Sequence, residues 1–354
     1  MNRGFYMNIA VLVSGGVDSS VALALLKEQG HTATAFYLKI WLEDELAFLG
    51  DCPWEQDLAY VRAVCKTVNV PLEIISLQKE YHEQVVAYTI SEIKAGRTPN
   101  PDMLCNQRIK FGVFFDHLKH AYDYIATGHY AQVQHNQEDS ILMRSPDPIK
   151  DQTYFLAYLS QNQLRKALFP IGHMPKEKVR ELAHQFDLPT KDRKDSQGIC
   201  FLGKLKFNDF IAYHLGQKEG SIIEYETGKK LGTHKGFWFH TIGQRQGSGL
   251  AGGPWYVVAK DALDNIVYMS KHYYSADKTR NEFKVDNLQW FSGAAPGKKN
   301  LHVKIRHGKQ LYNCLFDEKT GTVHLPEQDQ GIAPGQFAVF YDDQICLGAG
   351  IISN

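Results

Sequence analysis

Cysteine is sparse in this chain: six residues in 354 (Cys52, Cys65, Cys105, Cys200, Cys314 and Cys346), scattered, with no CxxC pair. So few thiols in so long a chain exclude a disulfide-built secreted scaffold. Each must therefore be judged singly as core filler, metal ligand or reactive group. Long apolar runs are also missing. Nothing approaches the roughly 18 residues needed to cross a bilayer, and the opening MNRGFYMN lacks the apolar stretch of a secretory signal. A cytoplasmic protein with no membrane partner is expected. Net charge is lacking as well, with 39 Lys and Arg against 39 Asp and Glu, so global charge lends no support to nucleic-acid binding. The local balance is uneven. Residues 41–60 carry six acids and no Lys or Arg, while residues 164–206 carry ten Lys or Arg against five acids and are a candidate basic surface.

What is present is ordinary globular composition, 44% hydrophobic and 22% charged, in a chain long enough for two or three domains. The apolar run NIAVLV is followed at once by SGGVDSS and the helical VALALLKEQG, a strand, a glycine loop and a helix. HTATAFYLKI, DLAYVRAVCKTVN, PLEIISL, HEQVVAYTISEIKAG, FGVFFDHLKHA and YDYIATGHY continue the alternation, which predicts an α/β domain with a parallel sheet covered on both faces. After about residue 205 the pattern turns to glycine-rich, aromatic and β-branched segments. From about 275 short alternating stretches such as NLHVKIRHG, LYNCLF and QFAVFY predict a small all-β barrel or sandwich. The expected domains are 1–205, 206–275 and 276–354.

Ser14-Gly15-Gly16-Val17-Asp18-Ser19-Ser20 lies between strand and helix, where unpaired N–H groups and the positive end of the helix dipole favour an anion, phosphate above all. It is neither GxxxxGK[ST] nor GxGxxG. A tight turn with a Ser or Asp cap is the plain structural alternative. The string resembles the PP-loop of N-type ATP pyrophosphatases, which cleave ATP between its α and β phosphates to adenylate a substrate.

Two cysteines stand in polar settings. Cys105 follows Pro99 and Pro101 in GRTPNPDMLCNQRIKF, with Asp102, Asn106 and Arg108 nearby; Cys200 follows Arg193 and Lys194 in DRKDSQGICF. Both settings read as loops, where a lowered thiol pKa makes a reactive thiolate. Cys65, Cys314 and Cys346 sit in apolar periodic segments and read as packing residues, and Cys52 is undecided. An adenylated carbonyl needs a nucleophile, and a cysteine persulfide with a second thiol to resolve it completes a cycle. An iron-sulfur cluster on the same thiols is disfavoured because two thiolates fall short of the usual four, and no resident metal is expected.

The blocks SGGVDSS, GRTPNPDMLCNQRIKF, YIATGHYA, KDQTYFLA, KDSQGICF, TIGQRQGSGL with PWYVV, and PGQFAVFYD span almost the whole length. Together they are similar to the tRNA-specific 2-thiouridylase family, bacterial sulfurtransferases that thiolate the wobble uridine at position 34. The resemblance implies a PP-loop ATP pyrophosphatase domain, a small central domain and a C-terminal β-barrel. It implies ATP as substrate with Mg²⁺, the tRNA anticodon loop as partner, and a cysteine desulfurase or relay protein as sulfur donor. It implies that Leu12, Val13, Ser14, Gly15, Gly16, Val17, Asp18, Ser19, Leu38 and Gly128 hold ATP, and that Asn100, Pro101 and Asp102 meet the target base. Cys105 would be nucleophile and resolving thiol, Cys200 the persulfide carrier, and the two would pass through a transient disulfide. Asp102 would act as base or orient the uracil. His129, Lys150, Asp151, Gln152, Arg306, His307 and Gln336 would contact tRNA. Leu38 stands where the family often has Met, His307 where Tyr is common and Gln197 where Thr is frequent.

Overall fold

The computed structural model describes residues 6–40, 54–118, 121–195, 206–245, 249–273, 275, 280–329 and 331–353. The first domain is built on a parallel sheet of β1 (Asn8–Leu12), β2 (Thr32–Lys39), β3 (Leu72–Ser76), β4 (Tyr124–Ala126) and β7 (Ala167–Leu168), in the spatial order β3-β2-β1-β4-β7. Successive side chains of a strand point to opposite faces, and here that alternation divides two cores. Ile9 and Val11 of β1 pack with helix α1 (Val17–Glu28), while Ala10 and Leu12 pack with Phe36, Met103 and Cys105 on the other face. The strand order reverses between β1 and β4, so the crevice at their carboxyl ends is the switch point where ligands of open α/β sheets bind. The glycine loop follows β1 and the ATGHY segment follows β4.

Strands β5 (Ala131–His135) and β6 (Ser140–Arg144) form a hairpin that leaves this sheet. The central domain carries helix Phe207–Leu215 and β8 (Gly220–Glu224), β9 (Lys230–His234), β10 (Tyr256–Asp261) and β11 (Ile266–Ser270), ordered β10-β11-β8-β9 around a small core of Ile222, Trp255, Val257, Val267 and Met269. The last domain has β12 (Glu282–Trp290), β13 (Asn300–Lys304), β14 (Tyr312–Asp317), β15 (Thr322–His324), β16 (Phe337–Asp342) and β17 (Ile345–Ser353) in the order β12-β15-β14-β13-β16-β17. Antiparallel pairing of β12 with β17 closes these strands into a barrel, which removes the exposed edges a sandwich would leave. Tyr312, Cys314 and Phe316 alternate inward along β14.

The hairpin ties barrel and first domain together: β6 pairs with β17 at Met143–Ile345 and Leu142–Cys346. Beside this seam Lys304 Nζ donates to Asp151 Oδ2 at 2.8 Å, with both side chains fully buried. Arg144 Nε and Thr153 Oγ1 also donate to the Asp151 carboxylate. Burial alone would raise the Asp151 pKa, but Lys304 and its other donors hold it below the usual carboxylate range. Tyr154 OH donates to Phe337 O at 3.1 Å across the same junction. Among the described residues no helix is long and apolar enough to cross a membrane.

Candidate active site

Ser14 and the glycines turn the chain from β1 into α1. Gly15 has φ +79°, and a Cβ there would lie 2.7 Å from the Asp57 carbonyl oxygen, so this position needs glycine on both counts. Gly16 caps α1 with extended backbone and no side-chain bond, leaving amides of the first turn for a ligand. Ser14 Oγ and Ser19 Oγ face each other at 3.3 Å, and Ser20 Oγ donates to Gly16 O at 2.7 Å. Leu12 and Val13 are buried, and Val13 N donates to Phe36 O. Leu38, near the carboxyl end of β2, registers with Ile75 of β3. A Cβ on Gly128 would stand 2.6 Å from Ser19 N, so the ATGHY segment lies directly against the start of α1. Every expected nucleotide residue therefore sits at the carboxyl edge of the sheet, around the switch point.

The loop has no lysine of its own, but distant cations surround it. Lys176, the first residue of helix Lys176–Gln185, is nine-tenths buried and donates to Asp18 Oδ1 at 2.7 Å; its Nζ also lies 2.8 Å from Asp195 Oδ1. Tyr130 OH donates to the same Asp18 oxygen at 2.8 Å. Lys150 and Arg180 each lie 2.6 Å from the Asp195 carboxylate. Burial pushes the Asp195 carboxyl up, yet hydrogen bonds from Lys150 and Lys176 outweigh it and hold the group well below the usual range. Arg193 donates to Gly15 O at 2.6 Å and to Asp57, and lies over the Tyr60 ring at 4.6 Å. The basic stretch 164–206 thus spends Lys176, Arg180 and Arg193 on carboxylates and carbonyls around the loop. Lys176, Asp195 and Asp57 had no local signal in the sequence. The usable hint lay in two charge-skewed stretches, one acidic and one basic, which meet at Arg193 and Asp57.

Cys105 departs from the expected loop. It is 1% exposed and lies inside a helical run over residues 101–117, at the point where the turns widen to π-type over Cys105–Val113. The local reason is Asn-Pro: Asn100 Oδ1 accepts from Met103 N at 3.1 Å as the cap, and Pro101 takes the first helical position, where its missing N–H costs nothing. Wide turns inside helices occur often at functional positions. Asn106 Nδ2 donates to Phe155 O at 3.0 Å, Lys110 Nζ donates to Asn106 Oδ1 at 2.9 Å, and Arg108 Nη1 donates to Gln84 O at 2.6 Å. The His129 imidazole is pushed well below its usual range by burial and by the charge of Lys110. Thr127 Oγ1 and His129 Nδ1 are 2.7 Å apart. Lys110 thus bonds Asn106 on the cysteine helix, and its charge acts on His129, the neighbour of Gly128 at the glycine loop. Cys200 lies outside the described residues, as do Cys52 and Gln197.

The barrel brings its residues to the start of this helix. Gln336 Nε2 donates to Thr98 O and Pro99 O at 2.9 and 3.1 Å. The His307 ring lies 4.6 Å from Phe155, and the Asp102 charge acts on it. Arg306 holds Asp329 through both terminal nitrogens, at 2.9 and 2.8 Å. Asn100, Asp102, Arg306, His307 and Gln336 are gathered there. Lys150 is at the nucleotide loop, Asp151 is sealed in the domain seam, and Gln152 Oε1 accepts from Tyr130 N at 2.9 Å. Cys65, Cys314 and Cys346 are buried, and burial pushes their thiols up, to about 11 for Cys65 and about 12 for Cys314. Among the described residues no three His, Cys, Asp or Glu side chains gather to hold a metal ion.

Three family profiles match: the tRNA methyl transferase HUP domain over residues 7–204, the tRNA methyl transferase PRC-barrel domain over 208–271, and the aminomethyltransferase beta-barrel domain over 280–352. The chain is 47% identical to "tRNA-specific 2-thiouridylase MnmA 2" of Bacteroides fragilis, over 98% of this chain and 100% of the relative. It is also 47% identical to "tRNA-specific 2-thiouridylase MnmA 1" of Bacteroides thetaiotaomicron, over 98% and 100%, and to "tRNA-specific 2-thiouridylase MnmA" of Parabacteroides distasonis, over 98% and 99%. With a switch-point phosphate loop, a capped cysteine helix and a closing barrel in the same order along the chain, this chain belongs to the tRNA-specific 2-thiouridylase family.

Proposed function

We propose that the protein uses ATP to activate the O2 oxygen of tRNA uridine 34 and replaces it with sulfur. The observation that carries this reading is the packing of the ATGHY segment against the first turn of α1, with the charge of Lys110 on the cysteine helix acting on its His129. That packing supports one cavity for nucleotide cleavage and sulfur transfer. ATP enters with Mg²⁺ as counter-ion, its phosphates on the amides from Ser14 to Ser19. Uracil O2 attacks the α phosphorus, the bond to the β-phosphate oxygen breaks, and pyrophosphate leaves. The terminal sulfur of a Cys200 persulfide then attacks C2, and AMP departs with the former O2. Cys105 thiolate attacks the inner sulfur of Cys200; the electron pair of the broken S–S bond stays with the base as 2-thiouridine, and a Cys105–Cys200 disulfide remains for a thiol reductant. Release of hydrosulfide by Cys105 before attack on C2 reaches the same products. Asn100, Pro101 and Asp102 cradle the base, with Asp102 its proton acceptor or orienting group. Arg306, His307 and Gln336, at the barrel's edge over this helix, together with His129 and Gln152, meet the anticodon loop, where single bases are splayed out and read. Lys150 serves tRNA from beside the nucleotide loop, and Asp151 serves it by holding the barrel in place. A cysteine desulfurase or relay protein reloads Cys200 in the cytoplasm.

Nucleoside mass spectrometry after incubation with tRNA, ATP, Mg²⁺ and a persulfide donor tests the scheme. Cys200→Ser should form no 2-thiouridine while still releasing pyrophosphate in the presence of tRNA. Thiolation at the normal rate by that variant would overturn the sulfur assignment, and wild-type protein that makes no AMP with tRNA would overturn the whole reading.

A further inference from the structure

The cysteine helix is held from outside, on both sides of its thiol. The helical turn Thr153–Leu156 supplies the holds from successive residues. Tyr154 is fully buried, its ring in one core with Met103, Leu104 and Cys105, and its hydroxyl donates to Phe337 O of β16 at 3.1 Å. The Asn100 side chain donates to that same hydroxyl. It does so through its amide nitrogen, because its Oδ1 accepts from Met103 N as the cap of the helix. One residue on, Phe155 O accepts from Asn106 Nδ2 at 3.0 Å. One residue back, Thr153 Oγ1 lies 3.1 Å from Tyr341 OH of the barrel and donates to Asp151. The backbone entering the helix is tied to the same edge of the barrel: Thr98 N donates to Pro334 O at 2.8 Å, and Gln336 takes the Thr98 and Pro99 carbonyls.

We infer that Tyr154 is a positioning residue for sulfur transfer: its hydroxyl couples the barrel to Asn100 and so sets where the first turn of the cysteine helix, with Asp102 and Cys105, stands. The inference rests on the reading of Asn100, Asp102 and Cys105 as working residues of tRNA thiolation. At 0% exposure Tyr154 cannot touch tRNA, so it acts through Asn100. Helix ends are where helices open first, and a cap held by its oxygen alone can still swing about its side-chain bonds. The bond from its nitrogen to a fixed hydroxyl removes that freedom. The hydroxyl is fixed in turn: the ring is packed in the core, and donation to Phe337 O directs the proton away from Asn100 and leaves a lone pair to receive the amide. Phenylalanine at this position keeps the ring and its packing but leaves the Phe337 carbonyl and the Asn100 amide short of a partner. The barrel edge that meets the anticodon loop thereby also fixes the helix that carries Cys105.

Two measurements on the full-length protein test this: steady-state 2-thiouridine formation with tRNA, ATP, Mg²⁺ and a persulfide donor, at a temperature where circular dichroism shows each variant folded, and amide hydrogen exchange over residues 98–106. Tyr154→Phe should lower kcat about ten- to a hundredfold, as a displacement of about 1 Å at reacting groups does. It should leave KM for tRNA within about twofold and quicken exchange at the start of the cysteine helix. Asn100→Asp keeps the cap oxygen and removes the donor; on that background Tyr154→Phe should cost less than about threefold, because the bond it acts through is already gone. An unchanged kcat with quickened exchange would make Tyr154 a packing residue and overturn the inference. A rise in KM alone, or the same loss of kcat on both backgrounds, would overturn it as well. Wild-type protein that forms no 2-thiouridine would instead overturn the reading on which it rests.

Discussion

Lys304 on Asp151 and Lys176 on Asp18 join the same functional groups at nearly the same separation, 2.8 and 2.7 Å, yet their surroundings differ in every respect that matters. The first pair has both side chains at 0% exposure, locked between the barrel and the first domain, with Arg144 and Thr153 satisfying what Lys304 leaves. The second has side chains 11% and 30% exposed, at the mouth of a switch-point crevice, in a cluster where Lys150, Lys176, Arg180 and Arg193 meet Asp18, Asp57, Asp147 and Asp195. A closed, satisfied pair fixes geometry and admits no ligand. An open cluster whose cations are partly exposed remains accessible to a ligand. Distance alone cannot tell these apart; access does.

The comparison is broken most severely by cutting the dry pair. Lys304→Met leaves a buried carboxylate short of its main cation and should cost about 3–5 kcal/mol of stability in urea unfolding, with AMP affinity of the folded fraction unchanged. A loss below about 1 kcal/mol, the worth of an exposed pair, would mean that the seam is wet. The reverse experiment perturbs the open region only. Gly128→Ala drives a methyl group against Ser19 N and should cost about 1–3 kcal/mol as overpacking, read mainly as lost ATP affinity and with the seam intact. Acid sharpens the contrast further, by a smaller amount. The folded-state pKa of Asp151 is depressed, so its stabilisation is full above the unfolded value of about 3.9 and is lost as pH falls through the folded value. Lys304→Met removes the largest lowering influence. The variant's folded carboxyl, left with burial as its dominant influence, is raised relative to wild type, so the stability gap should be full above that raised value and narrow as pH falls from it through the depressed wild-type value; a gap that widens in acid would refute the assignment.

Local pattern carried the reading a long way. The short apolar runs of β1 and β2 and the helical spacing of α1 were legible because a parallel strand buried on both faces reads as a near-continuous apolar stretch. Gly15 was legible for a related reason, since a left-handed turn with a backbone 2.7 Å from its would-be Cβ admits no side chain. Cys105 was misread as a loop residue although Asn100 and Pro101 announce a helix start, because the polar neighbours outweighed the cap. The hairpin of β5 and β6 gave no sign that its hydrogen-bonding partner lay some two hundred residues later, in β17.

By itself the sequence determined which segments fold locally and where the glycine loop lies, because helix caps, strand alternation and glycine turns act over a few residues, whereas it did not show that Cys105 is buried. Only tertiary structure decided that Lys176 arrives at Asp18, that Asp151 is buried under Lys304, and that the barrel's Gln336 and His307 stand over Asn100 and Asp102. Charge pairs act through space rather than along the chain, and their partners become identifiable only once the backbone has brought them within a few ångströms.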